Sequence, residues 1–286
     1  MPQLRISKVQ IKDVLERLYN KYNHQRFIKP DPLQFVHQYS KPADTEIAAL
    51  LAAVLAYGRV QQIQKNLTDL FGRMGHNPFE FVRNFDNRKR NKLKNFKHRF
   101  TTGDSLSDLL MLLKEVLSRY GSLQNLFVQG YNPGDKNIIP ALSKFCDSLL
   151  SMYAKNHNDR IPKGLRYLLP RPAAGSACKR LNLFLRWMIR DDDLDTGLWG
   201  AIDKSKLIVP VDVHMARLCR ILKLHDQKTV SLKTAIKITE SFAQIEPADP
   251  VKYDFALSRI GILKNCTGRH RDSCRLCELF AFCFRN

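Results

Sequence analysis

The run IAALLAAVLAY (47–57) limits what this chain can become more than any other stretch. It is apolar on every side, so as a helix it has no face to offer water and must be enclosed by other elements. Its length is about half of what a bilayer crossing requires, which leaves a buried core helix as the reading. Enclosing it takes several more helices, and the rest of the chain supplies them. Apolar residues recur at helical spacing over 8–22, 60–74, 105–119, 138–153, 176–190, 212–223, 231–243 and 251–263, with 45–57 as the central member. No strand-like alternation competes over a comparable length. The spacing therefore predicts an all-α protein.

Helix ends can be read in several places. Asp44-Thr45, Ser176 and Asp212 are N-cap candidates, because a short oxygen-bearing side chain satisfies the first free amides of a helix. Proline marks breaks at 29–32, 132–133, 162, 170–172, 210 and 247–250. There is no internal repeat. The N-terminal MPQLRISKVQIKDVLERLYNKYN has amphipathic spacing and no continuous apolar core, so no signal peptide is expected. A cytosolic location follows, where cysteines serve as metal ligands or thiols more often than as disulfides. Cys146, Cys178 and Cys219 lie among apolar helical residues and read as core fillers.

Charge gives the partner class. Lys and Arg total 47 against 27 Asp and Glu, a formal net charge of +20, which favours a polyanion. The excess is concentrated in RNFDNRKRNKLKNFKHRF (83–100), with eight basic residues, one Asp, and Phe85, Phe96 and Phe100 interleaved. Such a stretch is either a solvated face or a patch that tracks phosphates, with Arg88, Lys89 and Arg90 at its centre. By contrast, the acidic loop RDDDLD (190–195), including Asp191, Asp192 and Asp193, reads as solvated. Trp187 and Trp199 flank it, as core residues or as platforms for an unstacked base.

Four of the seven cysteines fall in the final stretch, CTGRHRDSCRLCELFAFC, as Cys266, Cys274, Cys277 and Cys283 with spacing C-x7-C-x2-C-x5-C. Four thiolates around one tight loop suit an iron–sulfur cubane. A zinc site, with His270 as a substitute ligand, and four metal-free thiols are the alternatives. Arg269, His270, Arg271, Arg275 and Arg285 surround the cysteines and would offset thiolate charge or meet phosphate.

At these residues the chain resembles the helix-hairpin-helix DNA glycosylase superfamily. The cysteine run is similar to the terminal [4Fe–4S] loop of its endonuclease III-like branch, C-x6-C-x2-C-x5-C, with one extra residue in the first gap. IVPVDVHMARLCRILKL (208–224) resembles the family's VDTH segment, which makes Asp212 the catalytic aspartate and places His214 beside it. The same aspartate is also an ordinary N-cap. GSACKRLNLFLRWMIR (175–190) offers Lys179 as the nucleophilic lysine of bifunctional members, near the positive end of a helix, which disfavours an ammonium. Arg180 is a rival for the aligned place, and a phosphate-binding or solvent-facing role is the plainer reading of Lys179. The separation of Lys179 and Asp212 resembles the archaeal 8-oxoguanine glycosylase branch, where an insertion intervenes. The hairpin departs from the family: LLPRPAAGSACK (168–179) stands where LPGVG is usual, so Gly175 alone remains of the two glycines. AYGRVQQI (56–63) occupies the place of the family's wedge, with Tyr57, Arg59 or Gln61 as fillers. DPVKYDFALSRIGILKNC (249–266) resembles the helix that leads into the cluster loop.

The resemblance implies a two-lobed, helix-hairpin-helix DNA glycosylase-like fold with a C-terminal four-cysteine cluster loop. Residues 45–190 would form a central helical barrel with the modified hairpin. Residues 1–44 plus 191–286 would form the second lobe. It further implies a monomer acting on double-stranded DNA, with no membrane role. Its work would be base-excision repair, with Lys179 and Asp212 catalytic and a [4Fe–4S] cluster on Cys266, Cys274, Cys277 and Cys283, zinc being the alternative. Arg59, Arg88, Lys89, Arg90, Arg180, His214, Arg269 and Arg271 would contact DNA. Two other classes stay open: a non-catalytic nucleic-acid-binding protein on the same scaffold, and a zinc-stabilised interaction module.

Overall fold

A computed structural model describes residues 8–264, 266–268 and 271–283. Fourteen α-helices make up most of its regular structure among these residues, and the expectation of an all-α protein holds. In order they are α1 (Lys8–Tyr22), α2 (Leu33–Val36), α3 (Pro42–Val54), α4 (Val60–Met74), α5 (Pro78–Arg83), α6 (Asn87–Leu93) and α7 (Gly103–Tyr120). Then follow α8 (Leu123–Val128), α9 (Ile139–Lys155), α10 (Lys163–Leu168), α11 (Lys179–Ile189), α12 (Val213–Ile221), α13 (Leu232–Ala243) and α14 (Asp254–Leu263). Lys97–His98 and Thr101–Thr102 pair antiparallel as a small hairpin, β1 and β2.

The apolar run becomes α3, and Ile47 through Leu55 are fully buried, as a helix without a polar face requires. α11 and α2 pack along it; α7 lies against α5, α6, α8 and α10. α14 packs on α1 and α12, so the N-terminal helix meets the C-terminal segment.

The first cap reading needs correction. α3 starts two residues before Asp44, with Pro42 in its first turn, and Asp44 lies inside the helix, where it accepts the Phe79 amide at 2.9 Å. Two residues on, the buried Glu46 carboxylate accepts the amides of Leu123 and Gln124 (2.9 and 3.1 Å) and the Trp199 indole N–H (2.9 Å). An acid on the core helix thus caps α8 and fixes Trp199.

Trp187 and Trp199 are both core residues, 0% and 1% exposed, which removes them as stacking platforms. The acidic loop also departs from expectation. Asp191 and Asp193 are exposed, but Asp195 is buried and Asp192 largely so. Arg190 binds Asp192 (2.7 Å), Asp195 (2.8 Å) and Asp249 (2.8 Å), and Arg186 binds Asp195 (3.2 Å) and Asp254. Buried carboxylates require such partners. Tyr19 and Asn23 of α1 also donate to Asp192. The network joins α11 to α1 and α14.

Candidate active site

α11 begins two residues later than a cap at Ser176 would place it. Ser176 Oγ accepts the Cys178 amide at 3.1 Å, and Cys178 itself occupies the capping position in the left-handed region, φ 45° and ψ 37°. A non-glycine residue there is strained, and such strain concentrates where a chain must aim a functional group. The Cys178 thiol is buried and donates to Pro170 O, and the Cys146 thiol donates to the same carbonyl. Burial pushes both thiols up, consistent with core packing rather than reactivity. Cys219 is likewise buried.

The turn makes Lys179 the first residue of α11. Its Nζ donates to Asp212 Oδ2 at 2.8 Å. Asp212 caps α12, and its Oδ1 accepts the His214 and Met215 amides, both at 2.9 Å. Thus two helix starts 33 positions apart meet through one carboxylate. Burial pushes that carboxyl up, but the charge and hydrogen bond of Lys179 and the Met215 amide outweigh it and hold the group below the ordinary carboxylate range.

The pair opens onto a cleft of about 820 Å³. Its lining includes Tyr57, Tyr167 and Arg180, residues of α12 and α14 with Asp254 and Arg259, and Asp31 beside Pro30. The deeper charges pair with one another, Arg186 with Asp254 and Arg259 with Asp31 at 2.8 Å. Burial pushes the Asp254 carboxyl up even against Arg186 and Lys179. Val213, Val230 and Ile262 leave apolar surface on the cleft lining.

Of the expected DNA contacts, Arg180 and His214 line the cleft. Arg59 is exposed just before α4. Arg88, Lys89 and Arg90 lie on α6, away from the cleft lining: Arg88 is exposed, Lys89 reaches Asn84 O, and Arg90 pairs with Asp104 and Asp108. Phe85 and Phe96 of the basic run are core residues. Arg271 is exposed, whereas Arg269, His270 and Arg285 lie outside the described residues.

Sequence reasoning overlooked the β1–β2 turn. Its Arg99, at φ 51°, lays its side chain over Gly58, where a Cβ would fall 2.8 Å from Arg99 Cδ. Next to it Phe100 is 66% exposed, with its ring centroid 5.8 Å from that of Tyr167. Tyr57, a wedge candidate, is held in place by bonds from its hydroxyl group to His98 O and Thr101 Oγ1. Two residues of backbone pairing are too few to leave a sequence signal, but an aromatic residue ending a basic run was one.

All seven cysteines carry thiols. Cys274 lies in a 3-10 turn, Asp272–Leu276; Cys283 follows another, Phe280–Phe282; Cys266 and Cys277 pack against the core. Burial pushes the Cys277 thiol up. Among the described residues no three His, Cys, Asp or Glu side chains form a group able to hold a metal ion. The donor chemistry suits a thiophilic centre, whereas the described side chains do not themselves form a metal-shaped cage. The segment is tied to the site: Arg217 of α12 donates to Cys266 O, and Glu278 accepts Lys21 and Tyr22 of α1. No described helix is long and apolar enough to cross a membrane.

Residues 31–263 match the model of a family described as a protein of unknown function, DUF2400, and the chain belongs to that family. The match spans Asp31, Lys179, Asp212 and Arg259 and ends before Cys266. No curated protein and no solved structure matches the chain.

Proposed function

We propose that this protein is a base-excision DNA glycosylase with abasic-site lyase activity on a helix-hairpin-helix glycosylase-like scaffold. The observation that carries the reading is the Lys179–Asp212 contact at 2.8 Å, with both groups at helix starts and both on one cleft. An amine and a carboxylate so placed are a nucleophile and the group that orients it. The charge of +20 favours the DNA backbone as ligand.

The damaged nucleotide is extruded into the cleft, because its anomeric carbon is unreachable in the stack. Asp212 orients Lys179 and takes up its proton or balances positive charge developing on the sugar. The Lys179 amine bonds to the anomeric carbon as the bond to the base breaks, and the base leaves with the electron pair. Transfer of a proton from the nitrogen to the ring oxygen opens the sugar to a Schiff base, and loss of a C2′ proton to solvent then expels the 3′ phosphate by β-elimination. Phe100 and Arg99 supply an aromatic face and a charge beside the cleft, suited to the gap left in the duplex. Cys266, Cys274, Cys277 and Cys283 would hold a [4Fe–4S] cluster, whose role is to fold the basic C-terminal loop.

Borohydride trapping with damaged or abasic duplex tests the reading. A covalent protein–DNA complex is expected, and it should vanish in Lys179→Ala. No crosslink from the wild type across a broad lesion panel would overturn the lyase assignment. Salt-sensitive DNA binding that is unchanged in Asp212→Asn, with no product from the wild type, would instead mark a non-catalytic binder.

A further inference from the structure

Lys179 and Arg180 are adjacent in sequence, both line the cleft, and they bond to different elements. Lys179 reaches Asp212 at the start of α12. The Arg180 guanidinium instead donates to Val54 O at the end of α3 (2.7 Å) and to Tyr167 O on α10. It lies 5.1 Å from the Tyr57 ring centroid and 4.6 Å from that of Tyr167, and the two rings meet edge to face at 5.2 Å. Because Tyr57 is anchored by its own hydroxyl bonds, the arginine sits in a fixed aromatic frame.

Its charge sets it apart from the deeper cleft cations. Arg186 and Arg259 are each spent on carboxylates. Around Arg180 stand two carbonyls and two phenol rings, with no carboxylate in ion-pair contact among the described residues. A guanidinium has more donors than these two carbonyls use, and donors inside an aromatic wall retain strength that water would dilute.

Resting on the glycosylase reading, we infer that Arg180 reads the extruded base, and that the class accepted is a neutral base presenting a carbonyl acceptor. Such a base is an oxopurine or an oxopyrimidine. Its sugar lies at the Lys179–Asp212 end and its carbonyl oxygen accepts from the guanidinium, beside the fixed rings of Tyr57 and Tyr167. A cationic alkylated base brings like charge against Arg180 and is disfavoured.

Two rates measured on each variant test this: borohydride trapping on an abasic duplex, which has no base to read, and release of base from damaged duplexes. The panel pairs 8-oxoguanine and thymine glycol with 3-methyladenine in methylated DNA. The wild type should release the carbonyl-bearing bases at least about tenfold faster than the cationic one, the discrimination expected of one charge-assisted hydrogen bond. Arg180→Gln should lower the ratio of base release to abasic trapping by about tenfold or more. Arg180→Lys, a point charge without the planar fork, should restore it in part. Tyr167→Leu, which loosens the frame without removing the charge, should move the ratio in the same direction. Because the ratio is internal to each preparation, partial misfolding lowers both rates and leaves it unmoved. Equal losses of both rates in Arg180→Gln and Tyr167→Leu would overturn this inference alone, as would preferential release of 3-methyladenine by the wild type. Absence of wild-type trapping would overturn the parent reading, and this inference with it.

Discussion

Asparagine at position 212 separates two tasks that the aspartate combines. Oδ1 holds the His214 and Met215 amides at the start of α12, and Oδ2 holds the Lys179 ammonium. The amide oxygen of asparagine can keep the first set, since asparagine caps helices about as well as aspartate. Its NH2 group cannot accept from Lys179. The lost ion pair has side chains 34% and 35% exposed, so screening limits its worth to below about 1 kcal/mol. Asp212→Ala loses the cap as well and should cost about 1 to 2 kcal/mol more than Asp212→Asn. Chemistry should follow the charge rather than the cap, with trapping falling about 100-fold or more in both variants. Urea unfolding and single-turnover trapping, read on the same preparations, separate the two. The acid side gives a second check. A carboxyl held below its unfolded value contributes stability that is present above about pH 4 and lost as pH falls through the folded value, so Asp212→Asn should lack that part of the acid limb. Trapping by Asp212→Asn within threefold of the wild type would refute the catalytic assignment; equal stability losses in Asn and Ala would refute the capping argument.

Three further outcomes follow from the same geometry. Glu46→Ala strands the Leu123 and Gln124 amides and the Trp199 indole, and should cost about 3 kcal/mol or more in urea unfolding, with a change in tryptophan fluorescence. Burial raises the Asp192 carboxyl, but Arg190 and the amides of Asp195 and Leu194 pull it well below the ordinary range. Its stabilisation is therefore present above about pH 4 and lost below, and acid titration of Asp192→Asn should show a flatter limb than the wild type. Protein purified without oxygen should be brown and carry about four irons with matching sulfide, lost in Cys277→Ala; colourless, zinc-loaded protein would replace the cluster by a zinc site.

The longer helices were legible because each has enough turns to show its apolar face. α1 and α4 fall on the residues predicted, and α7 and α9 extend past them by one or two residues at an end. α5 and α6, with six and seven residues, do not complete enough turns, although Asp86 accepting the Lys89 amide was a readable cap inside the basic run. Asp212 as a cap was legible from one local rule. The burial of Asp192 and Asp195 was not: a row of acids reads as solvated unless its arginines are known to point inward, and Asp249 and Asp254 come from a distant segment. Lys179 and Asp212 were each visible, whereas their contact depends on how α11 and α12 begin. Tyr167 carried no local signal, and its place beside Arg180 exists only in the packed fold.

What aims Lys179 is the relation between its strained start and its buried end. Cys178 adopts a left-handed conformation that costs free energy, of order 1–3 kcal/mol for a non-glycine residue. An isolated helix would relax it by fraying its first turn. Here α11 cannot slide or rotate to do so, because Arg186 and Arg190, about two and three turns beyond Lys179, are fixed to carboxylates of the 191–196 loop and of the segment entering α14. Arg190 is further joined, through Asp192, to Tyr19 and Asn23 of α1. The α11 register is therefore set at its C-terminal end, and the adjustment needed to bring Lys179 onto Asp212 falls on the one residue before it. This also explains why consecutive side chains reach different elements: at the first turn of a helix whose rotation is fixed, successive positions are separated by about 100°. The same register that delivers Lys179 to the carboxylate thus delivers Arg180 to the aromatic frame.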